Sequence, residues 1–374
     1  MLLTFATFGA VVGIHVGALP VIVENSAVSP YAFGVVGALG MLANIIAMSL
    51  GGRINQYFDH RSVLLVILPL SFLAMSFTLI SQSVAMFALS VVVLSFSLGT
   101  MDLFMNAEGS AVEQETGNPI FSAYHGSASF GIALFAIIGS LISVWSAPWV
   151  GALVALVPVV ITMLAIWHAI PKREVARQQE SPIAVVLPYR ILTFIGLAAG
   201  FNVACEGAAM LWAGQLLTRI APELSAYSGL GVAFYGICGG TMRMFGDRLR
   251  TAYGDATVML FSLATAIVGF AVLGLAPGFA ISVLAFAAVG FGLAIVFPCL
   301  FSLAARLVPT GRAAALSYVA TIGGVPRVML PWLLGWLAQE VALSAVFGAC
   351  VLVAAMAAAI IVTTHKASTK LLPA

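Results

Sequence analysis

Twelve apolar stretches follow one another along this chain, at about 2–23, 30–50, 62–80, 84–113, 120–143, 147–169, 189–214, 226–245, 256–275, 279–305, 314–337 and 340–364. Each is near the roughly 20 residues a helix needs to cross a hydrocarbon core. Only 7% of the 374 residues are charged and 62% are hydrophobic, whereas a soluble domain is about a quarter charged. Too little polar surface remains to face water. The expected class is an all-α integral membrane protein with twelve transmembrane helices. The 36 glycines agree with this, because small residues let helices approach closely in lipid.

The basic residues set an expected orientation. Arg53 and Arg61 lie between the second and third stretches. Lys172, Arg173, Arg177 and Arg190 surround the central break, and Arg243, Arg248 and Arg250 lie at the loop between the eighth and ninth stretches. Arg306 and Arg312 follow the tenth, and Lys366 and Lys370 close the chain. These all fall on one side, and the opposite side holds only Arg219. The positive-inside rule then places both termini in the cytoplasm. Met1–Val23 lacks a basic n-region, so it reads as the first span and not as a cleaved signal. The helix begins so near Met1 that an earlier start is left open.

The longest polar stretch, 170–188 (IPKREVARQQESPIAVVLP), divides the chain. Residues 1–169 are expected to form an N-terminal six-helix bundle, 170–188 a cytoplasmic linker, and 189–374 a C-terminal six-helix bundle with a short cytoplasmic tail. The halves echo each other at a near-constant offset. Gly51-Gly52-Arg53-Ile54 answers Gly246-Asp247-Arg248-Leu249, and Ser122-Ala123-Tyr124 answers Leu316-Ser317-Tyr318. Duplicated membrane bundles of this kind bind solute where the repeats meet.

The stretch 99–131 (GTMDLFMNAEGSAVEQETGNPIFSAYHGSASFG) concentrates Asp102, Asn106, Glu108, Glu113, Glu115 and His125 between apolar runs. A charge deep in a bilayer costs about 3 to 10 kcal/mol or more, depending on the reference scale, and it survives where it meets a partner or a wet cavity. We read this stretch as a helical hairpin lining a passage. Glu108 and His125 flank the expected turn at similar depth, so a Glu108–His125 pair is sterically reasonable. Asp102 lies deeper and shares a helix face with Met105 and Asn106. Glu206 and Arg327 both fall near mid-membrane, and pairing with each other is one way to satisfy both. Asp102, Glu108, His125, Glu206 and Arg327 are the proton-coupling or substrate candidates. The bland alternative for each is a buried structural group held by neighbouring Ser and Asn.

Further polar and aromatic residues lie within spans. His15, Asn44, Asn106, Asn202 and Trp212 are candidate cavity contacts, and packing is the alternative for each. Met101 and Met105 have the helical spacing of a soft-metal pair. With Cys205, Cys238 and Met242 they form the weaker reading of a transition-metal (copper) importer; otherwise no metal site is expected. The four cysteines (Cys205, Cys238, Cys299, Cys350) stand in apolar surroundings without a CxxC and read as buried thiols. No basic run supports a nucleic-acid partner, and the net charge is only +2. No phosphate loop, HExxH or GxSxG is present, so neither an enzyme nor a bound cofactor is expected.

Several stretches resemble a known family. GRINQYFDHR (52–61) is similar to the loop motif of the major facilitator superfamily. Gly52 and Arg61 match it, while Gln56 stands at the usual acid and Asp59 at the usual second glycine. RMFGDRLR (243–250) is similar to its counterpart in the second half, with Asp247 and Arg248 in place. The resemblance spans the whole chain. It implies two rocking six-helix bundles in which Gly52, Arg61, Arg243, Asp247 and Arg248 gate one end. MDLFMNAEGSAVE (101–113), FSAYHGSASFG (121–131), CEGAAMLW (205–212) and GLAIVFPCLFSLAAR (292–306) resemble the fucose-permease-like proteins of bacterial inner membranes. A related copper-importing branch carries methionine and histidine pairs where this chain has Cys205, Ala209, Ala233 and Ile237. Riboflavin importers nearby make a vitamin-like cargo a further alternative. The expectation is a monomeric secondary transporter of a small solute, proton-coupled, in the inner membrane.

Overall fold

A computed structural model describes residues 1–116, 120–172, 187–308 and 311–368. Most of the expected linker, with Arg173 and Arg177, and Lys370 of the tail lie outside the described residues.

The twelve expected stretches are all helical. The helices are α1 (Leu2–Asn25), α2 (Pro30–Ile54), α3 (His60–Leu79), α4 (Val84–Thr116), α5 (Phe121–Trp145), α6 (Val150–Ala169), α7 (Tyr189–Ile220), α8 (Leu230–Tyr253), α9 (Asp255–Leu275), α10 (Phe279–Leu293), α11 (Val296–Leu307), α12 (Arg312–Glu340) and α13 (Leu343–Ser368). A 3-10 turn, Pro222–Tyr227, joins α7 to α8.

Two expectations are corrected. The tenth stretch, expected as one helix over 279–305, is broken at Ala294-Ile295 into α10 and α11. Pro298 explains the break, because it lacks an N–H and its ring collides with the carbonyl four residues earlier, that of Ala294. The segment Arg243–Arg250, expected as a loop, is helical and belongs to α8. The connection to α9 shrinks to Gly254, whose φ of 81° falls in the region that favours glycine.

Among the described residues, ten segments are long and apolar enough to cross a membrane, with α10 and α11 counted as one. The two other long helices fall short for a visible reason. Helix α8 carries Arg243, Asp247, Arg248 and Arg250, and α12 carries Arg327 beside Pro326 and Pro331. Large apolar side chains lie on both sides of the helices. Phe5, Phe87 and Phe286 are fully buried, while Leu89, Val66 and Phe261 are about two-thirds exposed. An apolar exterior of this extent suits lipid and not water. Many Ser and Thr hydroxyls, among them Ser90, Ser97 and Thr100, donate to carbonyls one turn back. That satisfies polar groups without water.

Packing within each half mostly joins helices that are not consecutive in the chain. Helix α1 runs against α5, while α4 packs on α2 and α3, and α3 on α6. In the second half α7 packs on α12 and α13, and α10 on α8 and α9. The halves meet through α2 on α12 and α5 on α8, with a lighter contact of α1 on α7. These contacts are tightest at the end that carries the α1–α2 turn. A Cβ on Gly34 would stand 2.5 Å from the Pro331 carbonyl oxygen and 2.6 Å from Gly335 Cα. Pro20 packs on Gly214 in the same way, with its Cγ 2.9 Å from where a Gly214 Cβ would sit.

Gly34→Leu should therefore lower stability by about 1–3 kcal/mol, the usual cost of overpacking. The thermal midpoint in detergent measures it. Gly207→Ala, where a Cβ meets no atom within 4 Å, should leave the midpoint unchanged or raised.

Candidate functional site

A chain of polar side chains crosses the middle of the molecule, and it joins the halves. In α4, the Asn106 amide donates to Asp102 Oδ1 at 2.9 Å and to the Asp102 carbonyl at 2.8 Å. The one-turn spacing makes this pair, so α4 presents a carboxylate already fastened to its own helix. Asn44 of α2 donates to the Ser95 carbonyl at 3.3 Å and accepts from Arg327 of α12 at 3.2 Å. The Arg327 guanidinium lies within electrostatic reach of both Asp102 and Glu206.

A second arm runs through α7 and α8. Asn202, one turn before Glu206, donates to Glu206 Oε1 at 3.0 Å and to the Leu293 carbonyl at 3.3 Å. That second bond lands where α10 ends and the helix is broken. Arg243 Nη2 stands 3.7 Å from Glu206 Oε2, and its Nη1 donates to Ser129 of α5 at 3.4 Å. The first half thus receives two arginines from the second: Arg327 reaches Asn44 and Arg243 reaches Ser129. The two carboxylates and two guanidiniums sum to no net charge. Arg243 is 31% exposed and Glu206 20% exposed at the side chain, so this arm faces open space and is not sealed in a core.

Two expected pairings are corrected. Glu206 and Arg327 do not bond to each other; Arg243 takes the ion pair with Glu206, and Arg327 turns to Asn44. The reason is that α8 continues as helix where a loop was expected, which carries Arg243 up beside α7. Glu108, expected beside His125, is fully buried and joined to His60 Nδ1 at 2.9 Å. His60 opens α3 and rests edge-on against Phe104. His125 meets Phe5 edge-to-face at 5.2 Å and lies within electrostatic reach of Arg243.

The remaining candidates are scattered. His15 is buried in α1 with no hydrogen-bond partner at Nδ1 among the described residues. Trp212 packs edge-to-face on Phe33 at 4.8 Å, away from the network. Met101, Met105 and Met242 are buried in the apolar core, and Cys205 points its thiol at the Cys350 carbonyl, 3.9 Å away. No three His, Cys, Asp or Glu gather as a metal cluster among the described residues.

The expected gating residues have local partners. Arg61 lies 4.8 Å over the Trp167 ring and Arg248 lies 5.9 Å over Phe245. Gly52 is helical, and a Cβ there would meet nothing. Asp247 pairs with Arg250 at 3.0 Å, and Arg250 pairs with Asp255 at 2.8 Å, where Arg306 also binds. This ties α8, α9 and α11 together. Asp59, at the family's glycine position, caps α3 by accepting from Ser62 N at 3.1 Å and Ser62 Oγ at 2.6 Å. Burial pushes its carboxyl up, but these bonds outweigh that and hold it below its ordinary value.

Sequence reasoning missed His60 and Ser129 as partners. His60 stands beside a degraded motif, and nothing local points it at a helix 48 residues on. Ser129 is one serine among many.

No family model matches the chain. An uncharacterized transporter of Sinorhizobium fredii is 26% identical over 358 residues, covering 95% of this chain and 94% of the relative. An uncharacterized MFS-type transporter of Yersinia pestis is 26% identical over 312 residues, covering 82% of this chain and 80% of the relative. Among solved structures, a D-xylose-proton symporter superposes with a TM-score of 0.77 at 13% identity, over 100% of this chain and 96% of its own. The nucleoside transporter NupG superposes with a TM-score of 0.74 at 15% identity, over 97% of both chains. The solved structures share the fold. Both sequence relatives carry transporter names, one of them MFS-type, in keeping with the membrane-length apolar helices of this chain.

Two outcomes follow from this geometry. Asn44→Leu removes the acceptor of Arg327 and should cost about 1–3 kcal/mol, as for a lost hydrogen bond to a charge, read as a lower thermal midpoint. Asp59→Ala removes the α3 cap and should cost about 1 kcal/mol at neutral pH. A carboxylate held low when folded stabilises above its unfolded pKa and stops doing so as pH falls through the folded pKa. The Asp59→Ala deficit should therefore shrink in acid.

Proposed function

We propose that this chain is a proton-coupled secondary transporter of a small, polar, uncharged or zwitterionic solute. It works by rocking two six-helix bundles, 1–169 and 189–374, joined by the cytoplasmic segment 170–188. The proposal includes twelve spans, with α8 and α12 among them, a bacterial inner-membrane location, both termini in the cytoplasm, a monomer, and the fucose-permease-like subgroup.

One observation carries this reading. Two arginines of the second half bind polar groups of the first half at mid-membrane depth, each beside a carboxylate of its own network. Such bonds are costly to leave unmade in a medium of low dielectric constant. A solute that enters between the halves can replace them, since its hydroxyls or amides accept from Arg327 and Arg243 in place of Asn44 and Ser129. The balanced charge of the network favours a cargo with no net charge, which is also the chemistry of the xylose and nucleosides handled by structural neighbours.

Asp102 and Glu206 are the proton carriers in this reading. Each is stabilised as a carboxylate by an asparagine one turn away and by an arginine in reach. When rocking draws the arginine off, the carboxylate takes a proton, and it releases the proton when the pair re-forms. Asp247, Arg250, Asp255 and Arg306 hold the cytoplasmic ends of α8, α9 and α11 as one rigid piece during that motion. The structure's cross-half contacts, tightest at the α1–α2 end, correspond to the state closed to the outside. Transition-metal or riboflavin import finds no comparable geometric support, because Met101 and Met105 are turned into packed core.

The test is flux in proteoliposomes with labelled D-xylose and uridine and a trapped pH dye. Asp102→Asn should keep solute exchange but lose proton-driven accumulation. Arg327→Gln should cut both by roughly tenfold or more, the equivalent of one good charged hydrogen bond. Wild-type flux in both variants would sink the assignment of these residues. No flux of either solute in the wild-type chain would sink the cargo class.

A further inference from the structure

The network described above does not touch a second cavity between the halves. That cavity, of about 700 Å³, lies at the end carrying the α1–α2 turn, on the closed side of the halves. Small-molecule sites run from about 300 to 1,000 Å³. Its walls come from both halves, with Glu24 on α1 and Phe33 on α2 facing Trp212, Gln215, Thr218 and Arg219 on α7.

The floor is aromatic. Phe33 and Trp212 stand edge-to-face with centroids 4.8 Å apart, 5% and 3% exposed. Phe33 belongs to the first half and Trp212 to the second, so their contact exists only while this end is shut. Helices α1 and α7 close beside them, where Gln215 Nε2 donates to the Leu19 carbonyl at 3.5 Å. Above the floor the Thr218 hydroxyl is buried with no hydrogen-bond partner among the described residues. A buried hydroxyl of that kind is destabilising unless something bonds to it. At the rim, Glu24 and Arg219 are exposed and make no ion pair with each other. An apolar plate, an unmet hydroxyl, a primary amide and two rim charges of opposite sign describe a receptor for one kind of molecule. It is an uncharged ring with one apolar face and a hydrogen-bonding edge, a chemistry that monosaccharides and nucleosides share.

We propose that this cavity is a second solute site, an outer vestibule that holds a ring-bearing polar solute against Phe33 and Trp212 while the central network is closed to it. The inference rests on the transport reading for its sidedness, and it adds a site in series with the central one. Parting Phe33 from Trp212 would open the floor and pass the solute inward.

The test uses the full chain in proteoliposomes. Thr218→Cys and Ser225→Cys, the second in the Pro222–Tyr227 turn that also lines the cavity, are each reacted with a membrane-impermeant maleimide, with the wild-type chain and its four cysteines as the background. Ser225 guards against a misfolded Thr218 variant. Both added thiols should label from the side opposite the α2–α3 loop. Uridine or D-xylose in excess should slow labelling by roughly fivefold, as mass action gives when free ligand is several times its Kd. Trp212→Ala should abolish this protection and Asp102→Asn should preserve it. Thiols that never label, labelling unprotected by both solutes, or protection lost equally in Asp102→Asn would each overturn the proposal. Flux is read in the same vesicles. Protection without flux overturns the transport reading and keeps the vestibule, whereas flux without protection does the reverse.

Discussion

A charge inside a bilayer has to be met by another group, and this one requirement organises the middle of the molecule. Asp102, Glu206, Arg243 and Arg327 all sit among apolar helices. Each is held by a short polar bond: Asn106 to Asp102, Asn202 to Glu206, Asn44 to Arg327, Ser129 to Arg243. The asparagines at one-turn spacing fasten the carboxylates to their own helices. The arginines, with their longer reach, are left to cross between halves. The short side chains bond within a helix, and the long ones span the gap to another helix.

The backbone serves the same end. Pro298 breaks the helix beside the network, and the Leu293 carbonyl near that break takes the second bond from Asn202. Freed carbonyls at a broken helix are tolerated at membrane depth when a neighbour satisfies them. The opposite end is built for close contact, with glycines facing glycines and prolines across the α2–α12 and α1–α7 seams. The two halves are thus joined by tight seams at one end and by hydrogen bonds at the centre.

Much of the fold was legible in the chain. Runs of about 20 apolar residues have few alternatives to spanning helices, because backbone groups in lipid must bond within their own segment. That constraint is local, so helix positions came out within a few residues. The exceptions were α8 and the break in the tenth segment, and both turn on single residues. Arg243 and Asp247 looked like loop residues because a helix end and a polar helical face have the same composition. Pro298 looked harmless because prolines inside other helices here, Pro20 and Pro158 among them, leave those helices unbroken.

The candidate site was legible as a set of residues but not as a set of partners. The shared face of Asp102 and Asn106 follows from the helical repeat alone, and sequence by itself determined it together with the class, the span positions and the clustering of charge. The Asn202–Glu206 bond, at the same one-turn spacing, was found only in the structure. Which arginine meets Glu206, that Arg327 bonds Asn44, and that His60 meets Glu108 were decided only by tertiary structure. These contacts join residues 37, 283 and 48 apart in number, as 243 less 206, 327 less 44 and 108 less 60. They depend on how far one helix slides and turns against another. Helix packing in lipid is set by small-residue surfaces with no periodic signal of comparable strength. A turn of one helix moves a guanidinium from one acceptor to the next, so only the assembled bundle selects among them.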